Sequence, residues 1–189
     1  MRKRGFTLVE VLLAMAIVGV VAALAVPSIS KAYQKKVLTT QLQRAYAEIS
    51  QAGVTARSEE MVKDFRKSRA IKDLTFIGKY LITMPESYDG FAPTYGYYDS
   101  RNANYDFRNE VRNNGNYRCG ILKSGAAICL NQGGFGILDI NNKKGPNIIG
   151  RDAFSIGFNP DGTIDNSYSY SLERIIHNGW DIDNPDEFI

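Results

Sequence analysis

The chain has 189 residues, with 23 Lys and Arg against 20 Asp and Glu and a formal charge of +3. A charged fraction of 23% is near the globular average, which argues against wholesale disorder, and the length suits one ordinary domain plus an anchor. One histidine, His177, and two cysteines, Cys119 and Cys129, make no CxxC or Cys/His array, so the usual zinc sites and His-dependent catalytic sets find no support.

Three of the positive charges are Arg2, Lys3 and Arg4. Without residues 1–5 the remaining basic and acidic side chains balance at 20 each, so the net charge says nothing about an acidic partner. Phe6 to Val26 is an apolar run broken only by Thr7, Glu10 and small residues. As a helix it would be roughly 30 Å long, the thickness of a bilayer core. The basic start keeps the amino terminus cytoplasmic by the positive-inside rule. Read from the residues alone, the segment fits a secretory signal peptide, with Ala23-Leu24-Ala25 as a small-x-small cleavage site. It equally fits an uncleaved anchor. Glu10 sets a further question: near the cytoplasmic edge it can snorkel at a mild cost, yet a carboxylate in an apolar span is a functional candidate whose partner must be named.

Arg4-Gly5-Phe6-Thr7-Leu8-Val9-Glu10, followed by the long apolar run, resembles the class III leader junction of type IV pilins and pseudopilins. The resemblance covers about the first 35 residues. It implies that a prepilin peptidase cuts between Gly5 and Phe6 and that Phe6 becomes N-methylated. It also implies that Glu10 pairs with the new amine of a neighbouring subunit, a match that favours one docking register. The implied partners are the peptidase, other pilin subunits, an inner-membrane assembly platform, and membrane lipid before assembly. The implied location is a single-pass inner membrane protein with an extracytoplasmic head, later a periplasmic or surface filament.

Pro27 closes the apolar run. It is either a helix stop with Ser28 as a new N-cap, or a kink in a continuing helix, and the second fits the pattern that resumes at once. From Ser30 to Ala56, the residues Leu38, Leu42, Ala45, Ile49, Ala52 and Ala56 make one stripe at helical spacing. The expected division is a leader at 1–5, a long helix over 6–57 and a head over 58–189. Within the helix, 6–26 is transmembrane or filament core and 27–57 is amphipathic. The expected fold is α+β and pilin-like: a long amino-terminal helix packed on a small antiparallel sheet, with short extra helices.

In the head, Ser58-Glu59-Glu60-Met61 reads as a fresh helix start, and Ile71, Leu74, Ile77, Tyr80 and Leu81 as a second helical stripe. Residues 85–117 are rich in Gly, Asn, Tyr and Asp and read as loop with short strands. They interleave Tyr95, Tyr97, Tyr98, Tyr105, Phe107 and Tyr117 with Arg101, Arg108 and Arg112, and Arg118 follows. Such a pattern can bind single-stranded nucleic acid or sugars. Asp89, Asp99, Asp106 and Glu110 dilute the charge, and an exposed loop covering the head is the plainer reading, so nucleic acid is not an expected partner.

Cys119-Gly-Ile-Leu and Ala126-Ala-Ile-Cys129 flank Lys123-Ser124-Gly125, a three-residue hairpin loop with glycine in the left-handed position. That register sets Leu122 against Ala126 and Cys119 opposite Cys129, which suits either a disulfide in an exported domain or two buried thiols. Residues 135–140 and 154–158 read as strands, and 160–163 as a turn. Asp139, Asn141 and Asp152 are oxygen ligands around the intervening loop and would suit calcium. Lys143 and Lys144 oppose that, and Asx side chains in turns usually cap the backbone. No cofactor is therefore expected, with calcium as the one candidate. Ser171 to Asn178 reads as a short helix stopped by Gly179. No paired acids, nucleophile or phosphate loop emerges, and Gly133-Gly134 fits no dinucleotide fingerprint.

The function that follows is structural: a subunit of a type IV pilus or related filament. A pseudopilin of a type II secretion system, or a competence pilin, is the alternative within the family. A non-polymerising membrane-tethered binding domain is the more distant one.

Overall fold

The computed structural model describes residues 5–81, 83–84, 97–99, 102–105, 116–142, 150–165 and 170–182. The chain divides into two units, Met1–Val37 and Leu38–Ile189.

The first unit holds the beginning of helix α1, Leu8–Glu60. Over Leu8–Val26 the helix is apolar on every side and none of it is buried. Among the described residues this is the one helix long and apolar enough to cross a membrane. The helix runs on through Pro27 without a break, so the proline is not the stop that one reading allowed.

In the second unit α1 becomes one-sided. Leu42, Ala45, Ile49 and Ala56 are fully buried, Ala52 nearly so, and Leu38 packs at the margin, as the stripe requires. The helix does not restart at Ser58. It continues to Glu60 and closes with Met61 in the left-handed region at φ 51°. The Met61 amide bonds the Ser58 carbonyl at 3.2 Å and the Val62 amide the Arg57 carbonyl at 3.3 Å, the paired bonds of a Schellman cap. Ser58 thus serves a helix end, and its resemblance to an N-cap was misleading.

Glu60 has a further use. Its carboxylate accepts from the amides of Arg69 at 2.6 Å and Ala70 at 2.9 Å, capping helix α2, Arg69–Lys72. Ser68 completes that cap by accepting from Ile71. A short 3₁₀ turn, Phe65–Lys67, precedes it, and α3, Phe76–Tyr80, follows. The stripe expected as one helix is therefore split, because Leu74 turns the chain at φ 55°. Ile71, Ile77 and Leu81 are buried all the same. The turns carry Phe65 and Phe76 edge-on to each other, and both edge-on to Phe158, at centroid distances of 4.9 to 5.4 Å.

Strands β1 (Thr83–Met84), β4 (Tyr117–Leu122), β5 (Ala127–Asn131), β6 (Gly136–Asp139) and β7 (Ala153–Phe158) form an antiparallel sheet in the order β1-β4-β5-β6-β7. β8 (Ile164–Asp165) extends it along β7, while β2 (Tyr97–Asp99) and β3 (Asn102–Tyr105) pair separately. Side chains alternate across the sheet with period two. Leu122, Ile128, Leu138, Phe154, Ile156 and Phe158 join the core with α1. Tyr117, Cys119, Ile121, Cys129, Ile137 and Ala153 form a second buried cluster. The architecture is α+β, with the pilin-like arrangement of one long helix, an antiparallel sheet and short helices.

Helix α4, Tyr170–His177, closes the core through Leu172 and Ile175. Gly179 stops it at φ 69°, with the Gly179 amide on Ile176 and the Trp180 amide on Ile175. Trp180 stands edge-on to Tyr46 of α1, and its carbonyl accepts from the Thr39 hydroxyl at 3.3 Å.

Candidate functional site

The junction at residues 5–10 is built from the way α1 begins. Gly5, Phe6 and Thr7 lie outside the helix, and the first helical bond runs from the Val11 amide to the Thr7 carbonyl. A helix leaves its first amides without partners, and the local sequence supplies them. The Glu10 amide donates to Thr7 Oγ1 at 3.3 Å. In return the Thr7 amide and hydroxyl both donate to Glu10 Oε2, at 2.8 and 2.9 Å. This is a reciprocal capping box on a T-x-x-E pattern. The pattern is plain in Thr7-Leu-Val-Glu10, yet considering Glu10 only as a membrane-embedded charge passes over it.

Phe6 is 87% exposed, and Gly5 has open space where a side chain would stand. The bond between them is sterically accessible, as a protease requires. Phe6 and Glu10 head an open groove of about 630 Å³ that continues past Ala14, Met15, Val18 and Gly19. Glu10 is the single carboxylate of this otherwise apolar surface. What the surface can do chemically is narrow: it can bury against lipid or another apolar helix, and it offers one negative charge for a matched cation.

The other residues singled out by sequence lie elsewhere. Cys119 and Cys129 are paired across β4 and β5 and joined by a disulfide, with Cα atoms 4.0 Å apart. The Leu122 amide bonds the Ala126 carbonyl at 2.7 Å, and Gly125 takes φ 88°, the expected register and loop. Both cysteines sit in the second apolar cluster, a structural placement.

Asp139, Asn141 and Asp152 are brought together where β6 meets β7. Asp139 is 4% exposed and Asp152 is 1% exposed. Asp139 Oδ1 accepts from the Asn141 amide at 3.2 Å, and Asn141 Nδ2 donates to Asp152 Oδ2 at 3.0 Å. Burial, and next the facing Asp152 charge, push the Asp139 carboxyl up to about 7, against the pull of the Asn141 and Asn142 amides. Asn142 holds the turn at φ 58°. The bond from the Asn141 amide to Asp139 is that of an Asx turn, and the Asn141 side chain ties the turn to Asp152, although a hard cation would also suit a pair of buried carboxylates. Among the described residues no three His, Cys, Asp or Glu side chains are grouped as metal ligands. Lys143 and Lys144 lie outside the described residues.

Of the aromatic and basic run, Tyr95, Arg101, Phe107, Arg108 and Arg112 lie outside the described residues, while Tyr97, Tyr98 and Tyr105 fall in β2 and β3. Tyr117 is 8% exposed and buried in one cluster with Cys119, so it offers no stacking face. His177 lies exposed at the end of α4.

No curated protein and no solved structure matches the chain. Residues 1–26 match the family model for the prokaryotic N-terminal methylation motif. That motif marks a structural, non-enzymatic kind of protein and implies processing by prepilin peptidase and assembly with other pilin subunits. With the apolar helix behind it, it fits a membrane-anchored precursor. The chain carries a type IV pilin-like class III signal over its first 26 residues, the mark of a pilin-like or pseudopilin precursor.

Proposed function

We propose that this chain is a structural subunit of a type IV pilus or related filament. The precursor sits in the inner membrane with Arg2, Lys3 and Arg4 on the cytoplasmic side. Peptidase cuts after Gly5, Phe6 is methylated, and the helix from Phe6 onward passes from lipid into the filament interior. There Glu10 pairs with the Phe6 amine of a neighbouring copy. The observation that carries this reading is Glu10, the lone acid at the head of a fully exposed apolar helix beside Phe6.

The energetics favour assembly over a simple tether. A carboxylate near the membrane edge can snorkel at a mild cost. Buried between helices it needs a cation, and the amine created by cleavage is one. A matched pair in a low dielectric is stable only in the docked register, so the charge selects geometry more than it adds affinity.

The test is Glu10→Val in the full-length chain, expressed with peptidase and assembly machinery. Insertion and cleavage are expected to proceed as in wild type, while sheared filament falls by on the order of tenfold or more. Unchanged filament yield would remove the pairing role. A wild-type chain that is cut but never polymerises would instead make the protein a tethered binding domain.

A further inference from the structure

Residues 6–189 carry 20 basic and 20 acidic side chains, yet the two signs are segregated. Residues 61–72 hold Lys63, Arg66, Lys67, Arg69 and Lys72 against Asp64 alone. Residues 175–189 hold Asp181, Asp183, Asp186 and Glu187 with no Lys or Arg. A chain of this kind is indifferent at long range to a uniformly charged polymer but attracts its own copies, one charged stretch to the other.

The basic stretch begins where α1 ends. Phe65, Ser68, Ala70 and Ile71 turn inward, which leaves Lys63, Lys67, Arg69 and Lys72 exposed. The acids nearest in sequence are already engaged. Asp64 is held by Arg66 through two bonds of 2.9 Å, Glu60 caps α2, and Glu59 lies 3.7 Å from Lys79. Lys72 donates to the Gln132 carbonyl at 3.1 Å. Among the described residues no carboxylate stands within ion-pair distance of Lys63, Lys67 or Arg69.

The acidic stretch departs from the other end of the head-bound part of α1. Trp180 is fixed there by its ring against Tyr46 and its carbonyl on Thr39. Ile182 is buried, and Asp181 between them is exposed. From Thr39 to Glu60 the helix runs roughly 30 Å, at about 1.5 Å per residue. Asp183 follows Trp180 by about 10 Å of extended chain at most, so Lys63 and Lys67 of its own chain are out of its reach.

Resting on the filament reading above, we propose that Lys63, Lys67 and Arg69 seat the acidic residues 181–187 of a second copy, head to tail. A contact between unlike surfaces of one subunit is heterologous: when its rotation does not close a ring, it repeats as an open helical polymer. The head thereby helps set which neighbour follows which, in addition to the packing of the apolar helices. Its charges are exposed, so they fix register and exclude wrong dockings more than they add affinity. The discriminating perturbation is therefore charge reversal, not neutralisation.

The experiment reverses each side in the full-length chain, expressed with peptidase and assembly machinery, and counts sheared filament per processed subunit. One chain carries Lys63→Glu and Lys67→Glu, the other Asp183→Lys and Asp186→Lys. Arg69 is left alone because the Glu60 carboxylate lies at its amide. Each chain by itself sets like charges against each other and is expected to give on the order of tenfold less filament than wild type. Co-expressed, each chain meets in the other the sign it lacks in itself, and mixed filament is expected to return to near wild type. Normal assembly by the Lys63→Glu, Lys67→Glu chain alone, as when the acids serve Lys35 and Lys36 instead, would overturn the proposal. So would failure of the mixture, which would assign the loss to pairing or damage within each head. A wild-type chain that is processed but yields no filament would overturn the filament reading and this contact with it, whereas wild-type filament beside normal assembly of the reversed chains would overturn the contact alone.

Discussion

Asp139→Asn should make the head more stable, and by an amount that depends on pH. Asp139 and Asp152 are both buried and of like charge, and the Asp139 carboxyl is raised from an ordinary 3.8 to about 7. The folded state therefore keeps a proton that the unfolded chain has already released. The stability tied to that proton is fully present below pH 3.8 and is lost as pH rises through about 7. A tenfold change in proton affinity corresponds to about 1.36 kcal/mol, so the whole window is worth roughly 4 kcal/mol at most. Asparagine keeps an oxygen for the Asn141 amide and carries no charge to repel Asp152. Thermal unfolding of the full chain in detergent micelles, followed by circular dichroism, reads the effect. The wild-type Tm should fall relative to the variant between about pH 4 and about pH 7, with the variant the more stable above that range. Parallel curves for the two proteins would refute the buried-pair reasoning. The same series with added calcium separates a proton held on Asp139 from a bound cation. A calcium-dependent rise in wild type, absent from Asp139→Asn, would assign the pair to metal; the proton account predicts no such rise.

Other perturbations probe the packing of the head. Gly53 of α1 and Gly162 of the β7–β8 turn are in backbone contact, and a Cβ at Gly53 would overlap the Gly162 carbonyl. Gly53→Ala should cost about 1–3 kcal/mol, seen as a lower urea midpoint, and an unchanged midpoint would mean the turn moves freely. Replacing Cys119 and Cys129 together by Ala opens a loop with a sequence separation of only 10. The expected loss is about 2–3 kcal/mol, with Tm becoming insensitive to reductant. Ser68→Ala removes the side-chain cap of α2 and should cost about 0.5–2 kcal/mol by denaturant unfolding, with the rest of that cap supplied by Glu60.

What could be read from the sequence followed how local each signal is. The α1 stripe from Leu38 to Ala56 was legible because a single helical face records burial at every third or fourth residue. The β4–β5 hairpin was legible because Gly125 fixes the turn, and the turn fixes the register that brings Cys119 to Cys129. Where a residue served a distant partner, local reading failed. Ser58-Glu59-Glu60 looked like a helix start, but Glu60 caps a helix nine residues on, while its own helix ends in a left-handed Met61 that no propensity suggests. Ile71 to Leu81 kept a helical spacing of apolar residues although Leu74 breaks the helix; burial of both short pieces preserves the spacing without the continuity. At the junction the charge of Glu10 drew the reading toward a neighbour's amine. The capping box with Thr7, an equally local pattern, emerges only once the two side chains are seen bonded in both directions.

The central claim concerns the bond between Gly5 and Phe6, and mass spectrometry of the mature amino terminus tests it most directly. The account predicts that the chain taken from cells with a working prepilin peptidase begins at an N-methylated Phe6. A chain beginning at Val26, as after secretory cleavage, or one retaining Met1 as an uncut anchor, would contradict it.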